Sequence, residues 1–97
     1  MINITKKGNR VTIEGHTQAD ICAAVSSIMY TCYNILIEYD SKGVELNDSL
    51  ENSTNCDKVE IIIRRKDKNT EPVWNVMCRE LEIVANENPN NVTYCEE

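Results

Sequence analysis

The chain has no phenylalanine and a single histidine, and none of its five cysteines stands in a CxxC or CxxH pair. The missing pairs exclude the usual spacings of zinc ligands. An odd count at irregular intervals (Cys22, Cys32, Cys56, Cys78 and Cys95) also argues against a disulfide framework. The opening residues Met-Ile-Asn-Ile-Thr-Lys-Lys lack the long apolar core of a secretory signal. No run reads as long and apolar enough to cross a bilayer. These absences predict a reduced, cytoplasmic protein with free thiols and no membrane partner. Repeats and low-complexity segments are missing too, and the lack of phenylalanine carries no mechanism.

Positive charge is scarce as well. Ten basic residues face sixteen acidic ones, for a formal net charge of −6. That balance disfavours nucleic acid phosphates and anionic membranes as partners, and it suits a basic partner. With 97 residues the chain makes one domain around one modest core.

What is present divides into short elements. Met1 to Thr5 and Arg10 to Glu14 alternate in polarity around Lys7-Gly8-Asn9, which predicts a hairpin. From Asp20 the period becomes helical. Ile21, Val25, Ile28, Cys32, Ile35 and Tyr39 form a stripe with Ala24, Met29 and Leu36 beside it. This helix runs from about Asp20 to Glu38, with the Asp20 carboxylate as its N-cap. Val44, Leu46, Asp48 and Leu50 alternate as a third strand, and Asn52 to Asn55 make a loop. Val59, Ile61 and Ile63 mark a fourth strand, ending in the solvated Arg64-Arg65-Lys66. Thr70-Glu71-Pro72 opens a second helix with Trp74, Met77, Cys78, Leu81, Val84 and Ala85 inward. Val92 to Cys95 reads either as a last short strand or as a loose tail. The order β-β-α-β-β-α predicts an α+β, two-layer sandwich, with two helices on one face of a mostly antiparallel sheet.

Chemistry concentrates between Glu14 and Ser27. His16 ends a strand, and Cys22 follows six positions after it, inside the first turn of a helix. A cysteine nucleophile acts as thiolate, and a helix amino terminus favours an anion. An imidazole can take the thiol proton and return it to a leaving amine. The backbone N–H groups of Cys22 and Ala23 would then meet the oxyanion of acyl transfer. Cys22 reads equally as a small core residue, since free cysteine is commonly buried. Its phase, about 100° from the stripe of Ile21 and Val25, places it on a flank with Ser26 and Met29. From the residues alone both readings stand.

Gly15-His16 followed by Asp20-Ile21-Cys22-Ala23-Ala24-Val25-Ser26 resembles the signature of the ribosomal-processing cysteine protease family, Prp. That family carries Gly-His, a loop, and then Asp-Ile-Val-Cys-Ala-Ala-Val-Ser. Length, acidic balance and element order are similar over most of the chain, whereas only Gly15 to Ser26 is specific. The resemblance implies His16 and Cys22 as the catalytic pair, with Asp20 as helix cap or orienting residue and Ser26 as a possible substrate contact. It implies an endopeptidase that removes an amino-terminal extension from a large-subunit ribosomal protein or from a phage capsid or scaffold precursor. It further implies a homodimer and no metal or organic cofactor. This chain departs from the pattern in two ways. Thr17-Gln18-Ala19 is a shorter loop without glycine, and Asp-Ile-Cys stands where the family has Asp-Ile-Val-Cys. An inactive, homodimeric peptide- or protein-binding module on the same fold is therefore the second reading.

The remaining candidates have plain roles. Cys32, Cys78 and Trp74 lie on apolar stripes and read as core, whereas Cys56 and Cys95 read as exposed. Ser26 can equally bond back to a helix carbonyl.

Overall fold

The computed structural model describes residues 1–48 and 58–97. Leu50, the loop at 52–55 and Cys56 lie outside the described residues. Seven elements follow in the order β1 (Ile2–Lys7), β2 (Arg10–Gly15), α1 (Ala19–Tyr39), β3 (Val44–Asp48), β4 (Lys58–Ile63), α2 (Thr70–Glu87) and β5 (Val92–Glu96). The strands form one sheet in the order β3-β4-β2-β1-β5. All pairings are antiparallel except β1 with β5, which is parallel. The expected α+β sandwich is therefore the observed fold, and Val92 to Cys95 is a strand.

Register explains the core. Ile4 pairs with Ile13 and with Tyr94, Ile13 pairs with Val59, and Val11 pairs with Ile61. Because side chains alternate along a strand, these residues share one face with Ile2, Val44, Ile63 and Val92. That face packs against the buried stripes of both helices. The other face is polar: the Thr12 hydroxyl donates to Glu60 at 3.4 Å, and Arg10 pairs with Glu60 at 3.5 Å.

The stripe of α1 needs correction. Its buried residues are Ile21, Val25, Met29, Cys32 and Leu36, while Ile28 and Ile35 are half-buried and Tyr39 is exposed. The helix is apolar on more than one side, so its sequence leaves the phase open by one position. The same breadth corrects the membrane expectation: the 21 residues Ala19–Tyr39, at mean hydropathy 1.4, are long and apolar enough to span a bilayer. Here, however, Ile21 to Leu36 interlock with the sheet and α2 as the core of the domain.

Helix α2 begins at a reciprocal cap. Asp67 Oδ1 accepts from the N–H groups of Asn69 and Thr70 at 2.8 and 2.9 Å. The buried Thr70 hydroxyl accepts from the Asp67 N–H at 2.9 Å. Pro72 then sits in the first turn, where no helical N–H bond is lost. At the far end the Asn88 side chain donates to the Val84 carbonyl at 2.9 Å and closes the helix.

The pairings bring three chain segments to one end of the sheet. Ile2 lies opposite Gly15 on one side and Val92 on the other, and α1 starts three residues past His16.

The N–H groups of Thr70 and Asn69 hold the Asp67 carboxyl below the usual aspartate range. A lowered pKa gives stability that is present above the unfolded value and lost as pH falls through the folded one. Asp67→Ala should therefore lower the melting temperature at neutral pH. The gap to the parent should close in acid below the ordinary aspartate range, as thermal melts over a pH series would show.

Candidate active site

Gly15 ends β2 with φ at +104°, a conformation that glycine adopts without strain. A Cβ on Gly15 would lie 2.2 Å from the Met1 carbonyl oxygen, so the position excludes any other residue as the backbone stands. The Met1 amine donates to the His16 carbonyl, which ties the following residue to the start of β1. The chain then crosses to α1 through Thr17 and Gln18.

The helix starts two residues earlier than a cap at Asp20 requires. Gln18 holds the N-cap position, and Ala19 and Asp20 lie in the first turn. Asp20 Oδ1 accepts from the N–H of Ile21 at 3.0 Å, so it is a first-turn acid rather than the cap. With this phase Cys22 is the fourth helical residue. Its N–H donates to the Gln18 carbonyl at 2.9 Å and is committed to the helix, so it is not the expected oxyanion donor. Ala23, one position further in, is within the helical ladder as well. The N–H groups without intrahelical partners at this end are those of Gln18, Ala19 and Asp20.

The Cys22 sulfur is half-buried and bonds to the backbone of Thr17. The Thr17 N–H donates to Sγ at 3.3 Å, and the thiol donates to the Thr17 carbonyl at 3.4 Å. Thr17 is itself held, because Asn91 Nδ2 donates to its hydroxyl at 2.8 Å. Asn91 lies in the turn between α2 and β5, where its carbonyl accepts from the Ile2 N–H at 2.8 Å.

His16, Cys22 and Ser26 line one cleft of about 180 Å³. Ile2, Val25 and Val59 form its apolar wall and Tyr30 adds an aromatic edge. The structure thus brings together three of the four residues that the sequence singled out, and Asp20 does not line the cleft. Tyr30, Thr17 and Asn91 were not expected there. Tyr30 lies two turns after Cys22, which is a usable signal, whereas nothing local marks Asn91.

The other thiols differ in kind. Burial, with Glu80 nearby, pushes the Cys32 thiol up. Burial pushes the Cys78 thiol to about 11. Both are core residues as expected, while Cys95 is exposed at the sheet edge. Among the described residues no group of three histidine, cysteine or acidic side chains could hold a metal ion.

The sheet, the helix-start thiol and the histidine on the same cleft make up a small α+β domain with one candidate site at the end of β2. The model of the cysteine protease Prp family matches residues 1–93, and the chain belongs to that family. Its fold is similar to the essential ribosomal processing protease Prp from S. aureus in complex with a covalently linked product peptide. The TM-score there is 0.79 at 18% identity, covering 100% of both chains. The same S. aureus protease in complex with a substrate peptide gives 0.70 at 14% identity, again covering 100% of both. SMU.848 from Streptococcus mutans gives 0.76 at 16% identity, covering 98% of this chain and 90% of that one. Among curated proteins compared by sequence, none matches the chain.

Two outcomes check this geometry. Under native conditions iodoacetamide should label Cys22 and Cys95, whereas Cys32 and Cys78 should label only after unfolding, as peptide masses would report. Gly15→Ala should cost about 1–3 kcal/mol of stability in urea denaturation.

Proposed function

We propose that this protein is a cytoplasmic cysteine endopeptidase with Cys22 as nucleophile and His16 as general base and acid. The observation that carries the reading is the shared cleft of these two side chains at the start of α1. His16 takes the thiol proton, and Cys22 Sγ attacks the scissile carbonyl carbon. The tetrahedral intermediate collapses as the C–N bond breaks, and His16 gives its proton to the leaving amine. Water then hydrolyses the thioester and restores the thiol. Amides at the helix end, those of Gln18, Ala19 and Asp20, are the available donors for the oxyanion. Ser26 lies on the cleft wall, where it can touch a bound peptide.

The substrate is a protein with an amino-terminal extension: a large-subunit ribosomal protein or a phage capsid or scaffold precursor. A peptide in the cleft is supported by the product and substrate peptides held by the S. aureus relative. The formal charge of −6 suits a basic substrate. As the family resemblance implies, the protein works as a homodimer, and sedimentation velocity would measure that directly.

The second reading is a non-catalytic binding module. The short loop favours it, because Thr17 lies close enough for its carbonyl to hold the thiol proton in the resting state.

Incubation with a precursor bearing the extension, read by intact mass, separates the two. The parent protein should release the extension, Cys22→Ala should release none, and His16→Ala should slow release by about 10²–10⁴-fold. Intact precursor that stays bound to the parent would establish the binding module, and cleavage by Cys22→Ala would remove the sulfur from the mechanism.

A further inference from the structure

The nucleophile is supported from a part of the chain far from the motif. Asn91 and Thr17 are 74 positions apart, yet the Asn91 amide and Thr17 hydroxyl meet at 2.8 Å. Thr17 in turn supplies both backbone contacts to the Cys22 sulfur. Asn91 is also anchored at its backbone. Its N–H donates to the Asn88 carbonyl at 2.9 Å, and its carbonyl accepts from the Ile2 N–H at 2.8 Å. A side chain fixed at both ends of its own peptide makes a rigid post.

From this chain of contacts we infer that Asn91 is a positioning residue for the reaction, acting through Thr17 on the Cys22 sulfur. The inference rests on Cys22 being the nucleophile. Without the Asn91 amide, Thr17 sits in a two-residue crossing between His16 and α1, with its hydroxyl released from that bond. Its N–H is then no longer held toward the sulfur.

The sign of the effect follows from the two contacts. A thiol S–H is a weak donor, so losing its bond to the Thr17 carbonyl disturbs the neutral form little. An N–H bonded to a thiolate is charge-assisted, so losing it disturbs the anion more. Releasing Thr17 therefore raises the pH at which the sulfur becomes reactive. Among the described residues, the titratable groups that share the cleft or the helical turn with the sulfur are His16, Tyr30 and Asp20. The variants below change none of these.

The test is the rate of iodoacetamide alkylation at Cys22, followed by peptide mass from about pH 5 to 9. Asn91→Ala should raise the midpoint by about half a pH unit, and Thr17→Val should raise it equally. The double variant should shift no further than either single one, because both break the same bond. Thr17→Ser, which keeps the hydroxyl, should restore the parent midpoint. On a cleavable precursor, Asn91→Ala should lower kcat about 3–10-fold with little change in KM. A parent-like midpoint in both single variants, a downward shift, or additive shifts in the double variant would each overturn the inference. Should Asn91→Ala fail to fold, Thr17→Val and Thr17→Ser decide it from the other side of the bond. A Cys22 no faster than the exposed Cys95 in the parent would instead defeat the nucleophile reading. The midpoint shifts would still judge the Asn91 contact on their own.

Discussion

The site depends on one constraint: a sulfur at the start of a helix that both accepts from and donates to the backbone of Thr17. Thr17 offers Cys22 a donor and an acceptor at nearly equal distances. The donor favours the thiolate and the acceptor favours the thiol, so small movements of one residue weight the two forms differently. The helix end adds a field that favours the anion, and Asp20 in the first turn offsets part of it. The fold holds Thr17 through its bond to Asn91.

The sheet does this by collecting ends. Gly15 and Val92 both pair with Ile2, so the close of β2 and the opening of β5 flank the start of β1. The parallel pairing of β5 matters here. It brings the turn after α2 to the same end as the crossing into α1, which an antiparallel last strand would not do. The buried indole of Trp74 and the side chains of Met77 and Leu81 fix α2 against the sheet, and so fix where that turn emerges.

Much of this was readable from residues. The hairpin, both helices and the first four strand segments follow from polarity period and turn residues. The phase of α1 was not readable, since Ile28 and Ile35 are as apolar as Met29 and Leu36 and only tertiary packing chooses between them. Asp20 was misplaced by two positions from the true cap because aspartate suits the cap and the first turn equally. That shift also moved the expected oxyanion amides. His16, Cys22 and Ser26 were legible because they stand within one short segment. Thr17 and Asn91 were not, since a backbone contact and a side chain 74 positions away leave no local pattern.

The order of synthesis gives the parallel last strand another meaning. Thr17, Cys22 and the whole of α1 leave the ribosome while Asn91 and β5 are still unmade, because those residues lie at the far end of the sequence. The helix and its thiol can form early, whereas Asn91, which bonds Thr17, is made only after α2. A nascent chain with only α1 complete therefore holds Thr17 without its bond to Asn91, which forms once β5 has joined the sheet.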